Sequence, residues 1–364
     1  MTWKRILLIG AVLLALGMTG MQATPAHAAS TLTVSTCDES HLSAAVTQAN
    51  TDNDGDRITF RCNGTITLTS TLSIIGSMTI DGTGQNVIID GGGNVELINV
   101  SAALELDQLT LSGGSNTFGA GVFNNHGTLN TIATTFSNDT ATSGSGGAIY
   151  NNGGTALIQG STFSGNSAQN GAPGGAIENV AGQVTIIASS FSNNTGGYGG
   201  GAINNEGGGT VNVSGGSSFS TDSGGYGGAI LSIGATLSVS DSTFSGNSAA
   251  NEGGAISHSA DMNITNCLFL SNSAAAVGGL GGALDNEGGT SKIKGSTFQG
   301  NSAQVGGAIT SSGSAIVQID NSTFSSNTVG SASPAVTGDG GAIANGAATT
   351  ITASTFSKNV AYGT

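Results

Sequence analysis

Apolar and polar residues alternate along most of this chain in short runs. In Leu237-Ser-Val-Ser-Asp-Ser-Thr-Phe244, Leu237 and Val239 point to one side and Ser238 and Ser240 to the other, which is the period of a half-buried strand. The runs are brief, end at Gly or Asn, and recur in register. The clearest unit is Gly146 to Asn166, opening with Gly-Gly-Ala-Ile and closing with Phe-x-x-Asn. Phe163, Phe191, Phe244, Phe269, Phe298, Phe324 and Phe356 each have Asn three residues on, and Phe136 and Phe219 have Asp139 and Asp222 there. Successive copies lie 25 to 32 residues apart, and GGA[I/L] marks ending at Ile149, Ile177, Ile203, Ile230, Ile256, Leu284, Ile309 and Ile343 keep step. Val122 ends a degenerate first mark. A period in this range predicts a solenoid, in which each unit buries its apolar face by stacking on its neighbours.

Composition selects the solenoid. Gly is 62 of 364 residues, and each Gly inside a helix costs about 1 kcal/mol relative to Ala, so helical repeats are excluded. Short strands with Gly-rich corners predict an all-β fold, a parallel β-helix with three strands per coil. Roughly 11–12 coils spaced by about 4.8 Å would give a rod on the order of 55 Å. Phe faces inward, and so does the small residue two before it: Ser161, Ser189, Ser217, Ser242, Cys267, Ser296, Ser322 or Ser354. The Asn after Phe is expected at the turn, where Asn tolerates left-handed φ. Asn166, Asn194, Asn247, Asn272, Asn301, Asn327 and Asn359 are expected to bond along the axis as a ladder. A second row follows the marks at Asn124, Asn151, Asn179, Asn205, Asn286 and Asn345, with Ser232, His258 and Ser311 in the same place.

Seven FxxN motifs in phase with eight GGA[I/L] marks resemble the polymorphic outer membrane protein repeat of surface-exposed autotransporter adhesins. The resemblance covers about residues 118–364. It implies a single-stranded right-handed parallel β-helix, displayed or secreted, with a role in adhesion at the cell outer membrane. The stretch from Cys37 through Leu42, Ala49-Asn50 and Asp56 to Phe60 resembles, in degenerate form, the N-terminal segment of secreted β-helix proteins that carry a Cys-Ser-Leu-Arg-Glu-Ala motif.

Residues 1–28 read as a signal peptide: Lys4 and Arg5, an apolar run from Ile6 to Leu16, and Ala26-His27-Ala28 as the cleavage site. Residues 29–57 read as an N-terminal cap, with one amphipathic helix over 41–50 that presents Leu42, Ala45, Val46 and Ala49 on one face. Cys37 and Cys62 bracket the cap and are the candidate disulfide in an exported chain. Cys267 reads as a small buried thiol. Residues 58–117 read as irregular first coils, with strands at Ile58–Phe60, Ile66–Leu68, Met78–Ile80, Val87–Ile89, Leu97–Val100 and Leu104–Leu111. Residues 118–364 read as the repeat body. Asp52, Asp54 and Asp56 with Gly55 resemble the first half of a calcium loop. The closing Glu is replaced by Arg61, so a weak calcium site stands beside a plain solvated turn.

Charge narrows the partners. Formal net charge is −14, and no Lys or Arg occurs between Arg61 and Lys292. Nucleic acid is therefore excluded as a partner, and no later segment is apolar enough to span a membrane. The same lack of cations argues against a lyase acting on acidic sugars. A hydrolase needs convergent carboxylates. The nearest grouping is Glu178, Glu206, Asp285 and Glu287, read as solvated corner residues spread over several coils. His126 and His258 stand isolated. Thr and Ser flanking each Phe, as at Thr135 and Ser137, form an outward hydroxyl row similar in form to ice-binding β-helices, interrupted by Leu268 and Leu270. The expectation is thus an exported, non-catalytic contact protein with no cofactor beyond weak calcium, recognising a cell-surface protein or glycan. A polysaccharide-active enzyme and an ice- or glycan-binding module are the rivals. The stop at Thr364, without a visible cap, predicts either a truncated product or a secreted rod that self-associates through an open last coil.

Overall fold

The computed structural model describes residues 29–330 and 340–362, and the expected signal at 1–28 lies outside them. The chain winds as a solenoid of parallel strands. Three long sheets run its length. The 13-stranded sheet begins at Thr31–Val34 and Asp56–Phe60 and ends at Ala348–Thr352. A 12-stranded sheet carries the Phe residues, and an 11-stranded sheet carries the residues after the Gly-Gly marks. One coil runs through Ile149–Asn152, Thr155–Gln159 and Thr162–Ser164. It then adds a fourth short strand, Ser167–Ala168, beyond the expected three. These short strands pair into sheets of three and six strands.

Register places like on like. Phe136, Phe163, Phe191, Phe219, Phe244, Phe269, Phe298, Phe324 and Phe356 form one column, with ring centroids 4.6 to 5.0 Å apart and planes within 8°. Beside it runs the Asn ladder. Asn166 Nδ2 donates to Asn194 Oδ1 at 3.0 Å and to the carbonyl of Phe136 at 3.1 Å, and the pattern repeats from Asn247 through Asn272, Asn301 and Asn327 to Asn359. The small residues before Phe form a third row. The Ser161 N–H donates to Ser189 Oγ, and the Cys267 N–H to Ser296 Oγ. Cys267 is buried and unpaired, and burial pushes its thiol up to about 11.

The corners correct one expectation. Left-handed φ falls on the residue before each ladder Asn, as at Gly165, Asn193, Gly246 and Gly300, while the ladder Asn itself is turned into the core. The Gly-Gly marks have a separate cause. A Cβ on the second Gly would lie 2.0 to 2.2 Å from a carbonyl oxygen of the next coil at Gly147, Gly175, Gly201, Gly228, Gly254, Gly282 and Gly307. Only Gly lets the coils close there.

The N-terminal end is covered by the helix Glu39–Asp52, longer than expected at both ends. Asp38 caps it through the His41 N–H, and Leu42, Val46 and Ala49 are buried beneath. Asn50 accepts from the N–H groups of Ile75 and Gly76 and donates to the Ser73 carbonyl, and the Glu39 carboxylate accepts from Thr69 and Ser70. Cys37 and Cys62 are joined in a disulfide. The stretch read as one strand over Leu104–Leu111 is two, broken at the left-handed Gln108. In the last described coil Phe356 is 45% exposed.

Two outcomes test this packing. Phe244→Ala should cost about 3–5 kcal/mol through the cavity it leaves, whereas Thr243→Ala, on the outer face of the same strand, should cost little; denaturant titration separates them. Asp222 occupies a ladder position fully buried, and burial raises its carboxyl to about 7. An unfolded Asp titrates near 4, so the folded state holds the extra proton between those values and stability falls as pH rises through about 7. Asp222→Asn supplies the missing amide donor. It should raise the melting temperature at pH 8, by on the order of 2–4 kcal/mol in stability, and leave pH 4 stability nearly unchanged.

Candidate binding groove and carboxylate cluster

On the 11-stranded sheet the residue after each mark points away from the core: Tyr150, Glu178, Asn204, Leu231, Ser257, Asp285 and Thr310 stack in register. The carboxylates of this row, Glu178 and Asp285, were expected in solvent, but Glu178, Asn204, Leu231, Ser257, Asp285 and Thr310 are all at least nine-tenths buried. The segment between the fourth strand and the next mark folds over them. Thr310 Oγ1 donates to the Val305 carbonyl within that segment, and a Cβ on Gly174 or Gly199 would press on Glu178 or Asn204. The reading of Glu178 and Asp285 as solvated corner carboxylates is thereby corrected.

The covering segments leave two adjoining pockets that share Tyr226, Leu231 and Ile233 and together make a groove along four coils: Pro173, Tyr198, Asn204 and Glu206 line one, and Glu252, Ser257, His258 and Glu287 line the other. Tyr198 is 70% exposed and Ile233 49%.

Carboxylates gather at both ends. At one, Asn204 Nδ2 donates to Glu178 Oε1 at 2.8 Å and to Glu206 Oε2 at 3.3 Å. Burial, with Glu206 nearby, raises Glu178 to about 8. At the other, oxygens of Glu252, Asp285 and Glu287 lie within 4.8 Å of one another. Asp285 is fully buried and raised to about 8 by burial and its two acidic neighbours. Burial and Glu287 raise Glu252 to about 7. The structure therefore brings Asp285 and Glu287 together and adds Glu252. Sequence reading missed Glu252, although its place just before a Gly-Gly mark, in register with Tyr226, was a usable signal.

His258 is not isolated. It takes an Asn position in the second ladder, which runs Asn124, Asn151, Asn179, Asn205, Ser232. Its Nε2 lies 2.8 Å from Ser291 Oγ and its Nδ1 3.0 Å from the Ala260 carbonyl. Ser291 replaces an aliphatic residue in the inward row that includes Val211, Leu237 and Met262. Both partners are buried, and burial lowers His258 to about 4, so it is neutral.

The remaining candidates lie apart. His126 is exposed on a left-handed corner. Asp52 ends the helix, Asp54 follows its left-handed cap, and buried Asp56 opens a strand, accepting from the Ser30 N–H and hydroxyl.

Residues 241–259, spanning Phe244, Asn247, Glu252 and the mark at Ile256, match the Chlamydia polymorphic membrane protein repeat. No curated protein matches the chain. No helix among the described residues is long and apolar enough to cross a membrane.

Ser291→Val should cost about 1–3 kcal/mol by leaving His258 Nε2 without a partner. Adding His258→Asn should recover much of that, because the new amide rejoins the ladder. A double-mutant cycle by chemical unfolding checks the coupling.

Proposed function

We propose that this chain, a member of the polymorphic membrane protein repeat family, is an exported, non-catalytic contact module of the cell surface. The repeat and the solenoid fit an exported surface protein, and adhesion is our reading of what it does there. The observation that carries it is the groove: an exposed Tyr198 and Ile233 set beside Pro173 and Tyr226 on a rigid sheet. Tyr offers a flat apolar face with a polar tip, suited to the faces of neutral sugars or to a protein side chain. The acidic surface disfavours anionic partners.

The carboxylate geometry supports binding over hydrolysis. A glycosidase pair must flank a bond, with separations of roughly 5 Å or more. Here Asp285 is sealed from solvent and so is not placed to flank a bond of a bound substrate.

Binding of the mature protein to a glycan array and to cultured cells, with Tyr198→Ala/Ile233→Ser as comparison, tests the reading. The double variant should bind at least about tenfold more weakly with unchanged melting. Turnover on a polysaccharide panel that disappears in Glu252→Gln would instead establish an enzyme.

A further inference from the structure

We propose that Glu252, Asp285 and Glu287 form a calcium site that clips the covering segment to the 11-stranded sheet. Glu252 ends the strand Ser248–Glu252 in the covering part of one coil. Asp285 lies in the strand Leu284–Asn286 of the next, and Glu287 follows it. Two oxygens that share one calcium ion at about 2.4 Å lie at most roughly 4.8 Å apart, and oxygens of these three residues meet that limit mutually.

A separate observation points to a ligand. Asp285 is fully buried, and among the described residues neither of its oxygens has a hydrogen-bond donor. Buried polar atoms are almost always satisfied, and a buried carboxylate without donors is costly. Among the described residues no Lys, Arg or His forms an ion pair with Asp285.

The donor set chooses the ion. All three ligands are hard oxygens, and His258 has both ring nitrogens engaged, so zinc finds no nitrogen or sulfur here. Magnesium gives up its water reluctantly, whereas calcium accepts irregular carboxylate sets and completes its shell with water. Exposed Glu287 leaves one side open for that water. The inference stands independently of what the groove binds.

Calorimetric titration with calcium chloride and melting in calcium against chelator test it, on the mature protein and on Glu287→Gln and Asp285→Asn. Wild type should bind in the range of extracellular calcium modules, about 0.1–1 mM, and melt several degrees higher with calcium. Glu287→Gln, a surface change that spares the core, should weaken binding at least about tenfold, and Asp285→Asn should abolish it. Absence of heat and of any melting shift in wild type would overturn the proposal. So would an undiminished response in Glu287→Gln, which would place the ion elsewhere, as at Asp52, Asp54 and Asp56.

Discussion

The spacing between hydrogen-bonded strands governs this molecule. Each coil sits on the next at the interval of a parallel ladder, about 4.8 Å, and the coils are nearly in phase. A side chain is therefore held at that distance above its equivalent. For Phe the interval matches ring packing, and the column from Phe136 to Phe356 has centroids 4.6 to 5.0 Å apart. For Asn it is the length that lets one amide reach the next, so the turn that follows each Phe is satisfied inside the core. For the second Gly of each mark it is too short for a Cβ. Three rows of different chemistry thus follow from one distance.

The same constraint penalises charge. Stacked carboxylates at this spacing repel, and burial deepens the cost. Asp139 and Asp222 enter the inner ladder, and burial raises both carboxyls. In protonated form such a group presents one donor and one acceptor face, as an Asn side chain does. Where two carboxylates do stack, Asp81 beside Asp107, Arg57 forms an ion pair with Asp81. Elsewhere an acidic residue alternates along the axis with neutral ones, as Glu178 does with Tyr150 and Asn204.

These rows were legible in the sequence because a repeat multiplies a weak signal. One Phe-x-x-Asn carries little information, but seven in phase fix the register, the inward face and the partners along the axis. The periodicity could not show what the chain between repeats does. The segments before each Gly-Gly mark differ in length and composition, so nothing in phase announces that they fold over the next row. Reading Glu178 and Asp285 as solvated corner residues therefore rested on their spread over several coils, which says nothing of what covers each of them. The left-handed corner was misplaced by one residue for a related reason. Asn is the usual residue there, but this fold spends its Asn on the ladder and lets Gly165, Thr221 or Ser271 take the strained φ.

Departures from the repeat concentrate in one place. The second ladder runs unbroken from Asn124 to Ser232, and Ser311 bonds Asn345 beyond. Between them His258 turns to Ser291 instead, and Asn286 has no side-chain partner among the described residues. Glu252, Asp285 and Glu287 sit on the outer side of the same two coils. The Phe column passes through undisturbed, from Phe244 to Phe269 to Phe298. In a solenoid each coil contacts only its neighbours, so a local irregularity costs stability locally and leaves the rest of the stack intact. The 12-stranded sheet holds the fold while the 11-stranded sheet departs from it. Broken local rules that a sequence retains mark the positions where something other than folding sets the residue, and here they fall beside the groove.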